Sequence, residues 1–263
     1  MENINNKNKR VVIKVGSSVL TEQTGIAKER MLNLVTLIAK VSKKYEVVLV
    51  TSGAVAAGYT ALKLDREKHI SKKVLASAGQ PILMSSYKRM FDIYDIDTSQ
   101  ILLTEDDFDS RKRTKIFKQI INTSLENGII PIVNENDIST TSDQLFGDND
   151  QLSAHVAHHV AADLLVILSD IEGYYDSNPK DNPNAKIQKE VYDISEDELN
   201  ASQTPNSKFA TGGIVTKLKA ADFIMNKGSQ MFLCSGFDLT TANEYLLDDI
   251  HNKGTLFKAK NND

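Results

Sequence analysis

The sequence predicts an α/β protein with a mostly parallel central sheet. Four short apolar runs do not alternate with polar residues, which is typical of strands that are covered on both faces. Segments with the apolar spacing of helices lie between these runs. Strands that alternate with helices along the chain indicate the α/β class, in which helices connect parallel strands.

The four predicted strands span 10–15, 46–50, 129–133 and 164–168, and each is rich in β-branched residues. Pro131 lies within the third run and cannot donate a hydrogen bond to a neighbouring strand. The register of that strand is therefore left open.

Helices are predicted over 28–44, 55–62, 71–94, 113–125 and 151–162. The first is justified by apolar residues that recur at helical spacing, namely Met31, Leu34, Val35, Ile38 and Val41. After the fourth strand, three of the five prolines fall among polar residues between 177 and 208. This composition predicts an exposed, irregular excursion with a short helix near 196–200.

Length and composition limit the classes of protein to which this sequence can belong. We expect one domain over 1–263 with its core at about 10–258. Lys and Arg number 31 against 35 Asp and Glu, and the net charge of −4 disfavours a protein that binds nucleic acid or anionic membranes. We expect neither a membrane span nor a secretory signal, and the lone cysteine, Cys234, is typical of a reducing compartment, so a cytoplasmic location is predicted.

Small polar residues and glycines follow the predicted strands, where ligands of open α/β sheets bind. Such segments are Gly16–Ser17, Ser52–Ala54, Asn134–Asp137 and Ser169–Asp170, and a fifth, Thr211–Lys217, opens a helix. Glycines near helix starts let backbone N–H groups approach an anion, so the segments together predict a site for a polyanion such as a nucleotide phosphate chain. No G-x-G-x-x-G is present, and Tyr59 stands where a P-loop needs its lysine.

Charged residues near these segments suggest phosphoryl transfer, which needs positioned positive charge more than covalent chemistry. Lys14 and Lys217 are the candidates, and Lys14 is costly in an apolar strand unless it faces a ligand. The cluster Gly147–Gln151 contains more acceptors than helix capping requires. It could hold a substrate ammonium, orient a metal–phosphate complex or position the lysines.

For four other residues, a structural role is favoured over a role in catalysis or metal binding. His155, His158 and His159 recur at helical spacing without a known metal-binding motif, so we favour structural or surface roles over metal ligation. Cys234 follows an apolar run and is predicted to be a core residue.

Six segments, in this order and spacing, resemble the amino acid kinase family: VVIKVGSSVL, VVLVTSGAVAAG, PIVNEND, FGDNDQLSA, LLVILSDIEGYYDSNP and TGGIVTK. Within the family they are most similar to the branch that phosphorylates the side-chain carboxylate of L-glutamate, the first step of proline synthesis. The resemblance covers almost the whole chain.

The resemblance implies a three-layer α/β/α sandwich and transfer of the γ-phosphoryl group of ATP to L-glutamate with Mg²⁺ carried by the nucleotide. It implies that Lys14 and Lys217 stabilise the transferred group and that Asp150 orients them. The implied glutamate-binding residues are Ser52, Gly53, Ala54, Asn134, Asp137, Asp148 and Asn149. The implied ATP-binding residues are Lys14, Gly16, Ser17, Ser169, Asp170, Thr211, Gly212, Gly213, Ile214, Val215, Thr216 and Lys217.

Further expectations follow from the same resemblance. Family members associate through helices, so a homo-oligomer is expected, with the region of Gly79–Pro81 as a subunit contact. Many relatives continue into a C-terminal PUA module, and this sequence is expected to be the form without it. Feedback inhibition by proline is left open.

Three other functions are considered. A kinase of the same fold that acts on acetylglutamate or uridylate is the nearest alternative. A non-catalytic amino-acid sensor would be expected to lose Lys14, Lys217 or Asp150, and all three are present. A dinucleotide oxidoreductase is disfavoured by the missing glycine fingerprint.

Overall fold

A sheet of eight strands forms the centre of the computed structural model, which describes residues 9–22, 25–65, 68–139, 149–179, 181–201 and 212–259. The strands are β1 (Arg10–Val15), β4 (Glu46–Val50), β5 (Thr98–Leu103), β6 (Ile130–Glu135), β7 (Leu164–Ser169), β8 (Glu190–Val191), β9 (Gln230–Ser235) and β10 (Thr255–Phe257). A separate small hairpin pairs β2 (Thr21–Glu22) with β3 (Gly25–Ile26).

The strand order across the sheet is β5-β6-β4-β1-β7-β9-β10-β8. All neighbouring pairs are parallel except β9 and β10, which are antiparallel. β1 is central, with Lys14 opposite Val50 of β4 and Ile167 of β7. The carboxyl ends of β1, β4, β6 and β7 therefore meet at one edge of the sheet, where ligands of such sheets bind.

Ten α-helices surround the sheet in the described part of the chain. They are α1 (Ser17–Leu20), α2 (Lys28–Val41), α3 (Ala54–Leu62), α4 (His69–Phe91), α5 (Asp106–Asp109), α6 (Arg111–Glu126), α7 (Asn149–His159), α8 (Glu196–Leu199), α9 (Gly212–Asn226) and α10 (Thr240–Leu247). A 3₁₀ turn, Asp92–Tyr94, follows α4. None of these helices is long and apolar enough to cross a membrane.

Two apolar cores lie on opposite faces of the sheet. Val12 of β1 packs into one core with residues of α6, α7 and α9, whereas Val11 and Ile13 pack into the other with residues of α2, α4 and α10. Alternate residues of a strand point to opposite faces, so each face of β1 has its own helical layer. The predicted three-layer α/β/α sandwich is confirmed.

The predicted elements are found with changed bounds. β1 and β4 match, β7 is one residue longer, and the five helices differ from their predictions by up to three residues at an end. The third strand is also found with changed bounds, because β6 begins at Ile130 and continues through Asn134 and Glu135, which were expected to follow it. Pro131 is tolerated within it, since pairing with β4 begins only at Ile132.

The predicted irregular excursion is only partly irregular. β8 joins the main sheet at its edge, and Tyr175 bridges Ile187. The short helix α8 is present, and Ser195 and Glu198 close it with a capping box. Residues 202–208 of the predicted excursion lie outside the described residues.

Candidate active site

One cavity of about 670 Å³ opens at the carboxyl edge of the sheet. Its volume falls within the range of small-molecule sites. Of the predicted site residues, those that line it are Lys14, Gly16, Ser17, Ser52, Gly53, Ala54, Asn134, Asp137, Asn149, Ser169, Asp170, Gly213 and Lys217. Residues from six separate segments thus converge on one space, as predicted for a site at the strand ends.

A buried carboxylate joins two lysines at one end of the cavity. Asp150 is fully buried at the start of α7, and its Oδ1 accepts from Lys14 Nζ at 2.6 Å. Its Oδ2 accepts from Lys217 Nζ at 3.1 Å and from the Thr216 hydroxyl at 3.0 Å. Among the described residues of this cluster, two ammonium groups share one carboxylate, and this excess of positive charge favours an anion at the cavity wall.

Two glycines leave space beside these ammonium groups. A Cβ atom on Gly16 would lie 3.9 Å from Lys14 Nζ, and one on Gly213 would lie 4.0 Å from Lys217 Nζ. The Gly213 carbonyl also accepts from Lys217 Nζ at 3.0 Å. Asp150 thus holds both lysines, and neither Gly16 nor Gly213 adds a side chain beside their ammonium groups.

A chain of amides lies at another part of the cavity. Asn149 Nδ2 donates to the Thr51 carbonyl at 2.6 Å, to Asn134 Oδ1 at 2.8 Å and to Ser52 Oγ at 3.0 Å. Asn134 Nδ2 in turn donates to Gln80 Oε1 at 2.8 Å. All of these side chains are buried, so the network fixes the orientation of each amide.

The loop after β4 brings Ser52, Gly53 and Ala54 to the cavity through its backbone conformation. Gly53 has φ = 101°, in the left-handed region that glycine adopts without strain, and it directly precedes α3. α4 packs so closely that a Cβ on Gly79 would lie 1.8 Å from the Ala54 carbonyl oxygen. Because residue 79 is a glycine, α4 can lie directly against the start of α3.

Asp137 and Lys72 face the cavity near the amide chain. Burial raises the pKa of the Asp137 carboxyl above its ordinary value, and the nearby charge of Lys73 opposes that shift. Lys73 itself donates to the Ile138 carbonyl at 3.1 Å. Lys72, not Lys73, lines this part of the cavity together with Asp137, and the sequence alone did not single it out.

Not every predicted nucleotide-binding residue lines the cavity. Of residues 213–217, Gly213 and Lys217 do so, while Thr216 contacts Asp150 and Val215 is buried. Ile214 packs against the core that contains α7 and α9. Gly147, Asp148 and Thr211 lie outside the described residues. Ser169 donates to Asp170 Oδ1 at 2.9 Å beside the end of β7.

The three histidines of α7 belong to an aromatic cluster. His159 stacks on Phe108 with ring centroids 5.1 Å apart, and His155 stacks on Phe223 at 4.5 Å. Burial lowers the pKa of all three imidazoles, that of His159 to about 4. Within the described residues, no group of three or more His, Cys, Asp or Glu side chains could hold a metal ion. Cys234 is fully buried in the core, as predicted, and burial raises the pKa of its thiol to about 12.

Comparison with known proteins agrees with this geometry. A model of the amino acid kinase family matches residues 9–235. The chain belongs to the amino acid kinase family. A carbamate kinase from Giardia lamblia, 16% identical, superimposes with a TM-score of 0.64 over 95% of this chain and 98% of that one, which shows the shared fold.

Closer relatives define the branch of the family. The glutamate 5-kinase of Wolinella succinogenes is 50% identical over 254 residues, which are 95% of this chain and 97% of the relative. The glutamate 5-kinase of Leishmania donovani is 50% identical over 252 residues, 96% of either chain. Within its family, the chain therefore groups with the glutamate 5-kinases.

Proposed function

We propose that the protein transfers the γ-phosphoryl group of ATP to the side-chain carboxylate of L-glutamate, giving L-glutamyl 5-phosphate and ADP. This reaction is the first step of proline synthesis. The observation that carries the proposal is a single cavity with two chemically different parts. Lys14 and Lys217 on Asp150 form a cationic part, and the amides of Asn134 and Asn149 belong to the other.

The cationic part suits the migrating phosphoryl group. Lys14 Nζ and Lys217 Nζ bind opposite oxygens of Asp150 and are therefore held at fixed positions on the cavity wall. Negative charge spreads over the γ-phosphate oxygens during transfer, and prepositioned cations stabilise that charge without reorganising. The open space beside Gly16 and Gly213 admits phosphate oxygens to both ammonium groups.

The chemical step needs no general base. A glutamate side-chain carboxylate is ionised at neutral pH, so its oxygen attacks the γ-phosphorus directly. That oxygen–phosphorus bond forms as the bond to the β,γ-bridging oxygen breaks, and the electron pair leaves with ADP. Asp150 is occupied on both oxygens by cations and a hydroxyl, so its role is to position the lysines.

The amide part suits the amino-acid end of glutamate. The two protons of Asn149 Nδ2 are used in its shortest bonds, to Thr51 and Asn134, which leaves its Oδ1 to accept from a ligand. Asp137 supplies a carboxylate for the substrate ammonium, and Lys72 a cation for its α-carboxylate. An N-acylated glutamate has no ammonium for this part to bind.

Mg²⁺ is proposed to arrive with the nucleotide. Mg²⁺ in phosphoryl-transfer sites is held by substrate phosphates, water and one or two carboxylates. Asp170 at the end of β7 offers a carboxylate on the cavity wall, which fits that requirement. When bound, the ion would neutralise part of the charge on the phosphate chain.

The test is a coupled assay of ADP release with L-glutamate, aspartate, N-acetylglutamate, carbamate and UMP as alternative acceptors. We expect turnover with L-glutamate and at most a trace with the others. Absence of glutamate-dependent turnover would refute the proposed function, and turnover with N-acetylglutamate or UMP would assign a different kinase of the fold.

Three expectations remain predictions. Proline is a candidate feedback inhibitor, and a proline titration of the same assay decides whether it inhibits. Copies of the chain are expected to associate, which light scattering of the purified protein tests. A cytoplasmic location is expected, which fractionation of cells tests.

A further inference from the structure

Gln80 ends the amide chain and has no assigned role. It lies in α4 with 9% of its surface exposed, and its Oε1 accepts from Asn134 Nδ2 at 2.8 Å. Its Nε2 is buried and meets no hydrogen-bond partner in the part of the chain that the structure describes. Buried amide donors are rarely left unpaired, so the orientation of this side chain needs a physical reason.

The reason is the polarity of the amide chain. The Thr51 carbonyl can only accept, so the nitrogen of the Asn149 amide must face it. The same nitrogen donates to Asn134, whose oxygen must therefore face Asn149. The Asn134 nitrogen then faces Gln80 and can only donate, so Gln80 must accept through its oxygen. Each amide fixes the next one.

The backbone beneath Gln80 is equally constrained. Gly79 approaches α3 so closely that a Cβ there would lie 2.4 Å from the Gly58 nitrogen. Gln80 directly follows Gly79, so its backbone position is fixed by the contact between α4 and α3. Gln80 lines a second cavity of about 210 Å³ that shares Glu135 and Asp137 with the first, and that volume has room for water.

We propose that Gln80 is a positioning residue for the amino-acid substrate. By accepting from Asn134, it fixes the Asn134 oxygen toward Asn149. That oxygen and the Thr51 carbonyl together hold the Asn149 nitrogen toward the protein and its oxygen toward the ligand. The site then presents acceptors to an ammonium group. Gln80 acts through Asn134 and touches neither ATP nor the transferred group. This inference rests on the proposed function of the cavity.

Three variants of α4 test the proposal. Gln80→Met keeps the shape of the side chain and removes the acceptor, whereas Gln80→Glu keeps an oxygen acceptor for Asn134. Leu83→Ala, one turn further along α4 in the core, is the control for general loosening of the helix. For each, kcat, the KM values of glutamate and ATP, and the glutamate Kd by calorimetry are measured.

We expect Gln80→Met to raise the KM and Kd for glutamate about tenfold and to leave kcat and the KM for ATP within about twofold. Gln80→Glu is expected to recover most of the affinity. In an Asn134→Ala background, Gln80→Met should cause almost no further loss of glutamate affinity, because Gln80 acts only through its hydrogen bond with Asn134.

Three results would overturn the proposal: unchanged glutamate affinity in Gln80→Met, a full tenfold loss that persists in the Asn134→Ala background, or an equal loss in Leu83→Ala. Failure of the proposed function is recognised separately, as absence of turnover in the unmodified protein. The calorimetric Kd still reports on Gln80 in that case.

Discussion

Replacement of Lys217 by methionine separates catalysis from binding. Lys217 Nζ contacts Asp150 Oδ2 at 3.1 Å and the Gly213 carbonyl at 3.0 Å. After Lys217→Met, Asp150 still accepts from Lys14 at 2.6 Å and from Thr216 at 3.0 Å. The buried carboxylate stays paired, so we expect the free energy of unfolding to fall by about 1 kcal/mol. Leaving a buried charge without a partner would instead cost ~3–5 kcal/mol.

The effect on turnover is expected to be much larger. Removing one prepositioned donor to a transition-state oxyanion costs on the order of 10²–10³ in kcat, or about 3–4 kcal/mol. Glutamate meets its recognition groups elsewhere in the cavity, so its Kd should change less than about threefold. The measurements are initial rates of ADP release under saturating substrates, glutamate calorimetry and thermal unfolding.

The same helix provides a matched control. Lys219 lies two residues further along α9 and is exposed, so Lys219→Met removes the same charge at a distance from the cavity. We expect its kcat to stay within about twofold of the unmodified protein. The role assigned to Lys217 would be wrong if Lys217→Met kept its kcat, or if both variants lost activity equally.

Four further predictions test other parts of the account. Gly16→Ala should fold normally, because its Cβ meets no atom closer than 3.6 Å, yet raise the KM for ATP severalfold by filling the space beside Lys14; an unchanged KM would contradict this. Burial raises the pKa of Asp137, so kcat/KM for glutamate should fall with decreasing pH before ordinary carboxylates titrate, and Asp137→Asn should abolish that limb of the pH profile. Gly79→Ala should lower Tm and raise the KM for glutamate, since its Cβ would lie 1.8 Å from the Ala54 carbonyl; an unaltered Tm would refute the tight crossing. The pKa of His159 is about 4 in the fold against 6.5 in the unfolded chain, so the unfolded chain binds the extra proton, and the stability contributed by His159 is complete above pH 6.5 and declines as pH falls toward 4. Denaturant unfolding should show an acid-side loss of stability that is smaller in His159→Gln by about 1 kcal/mol, after allowance for solvent screening, while the share of His155 and His158 remains; an equal loss in both proteins would contradict this.

Much of the fold was predictable because its signals are local. The buried strands β1 and β4 and the amphipathic helix α2 carry their pattern within a few residues. β8 and β10 have two and three residues, too few for a periodic signal, and they are strands because they complete the edge of a sheet that distant residues build. The longer extent of β6 has the same origin, since pairing with β5 continues that strand through Glu135.

Site residues could be predicted where their polarity differs from that of the segment around them. Lys14 lies in an apolar strand, so its burial against a partner could be anticipated, and Asp150 is that partner. Gln80 and Lys72 lie in a long helix in which polar residues are unremarkable. Their roles come from the crossing of α4 over α3 at Gly79, a tertiary contact that no local pattern encodes.

The cavity is proposed to make an acyl phosphate on glutamate, and trapping that product is the most direct test of the proposal. Hydroxylamine converts an acyl phosphate into a hydroxamate, which is identified by mass spectrometry. We predict glutamyl hydroxamate in amounts equal to the ADP formed, only when ATP and L-glutamate are both present, and at least about a hundredfold less with Lys217→Met. ADP without hydroxamate, or hydroxamate undiminished in that variant, would contradict the account.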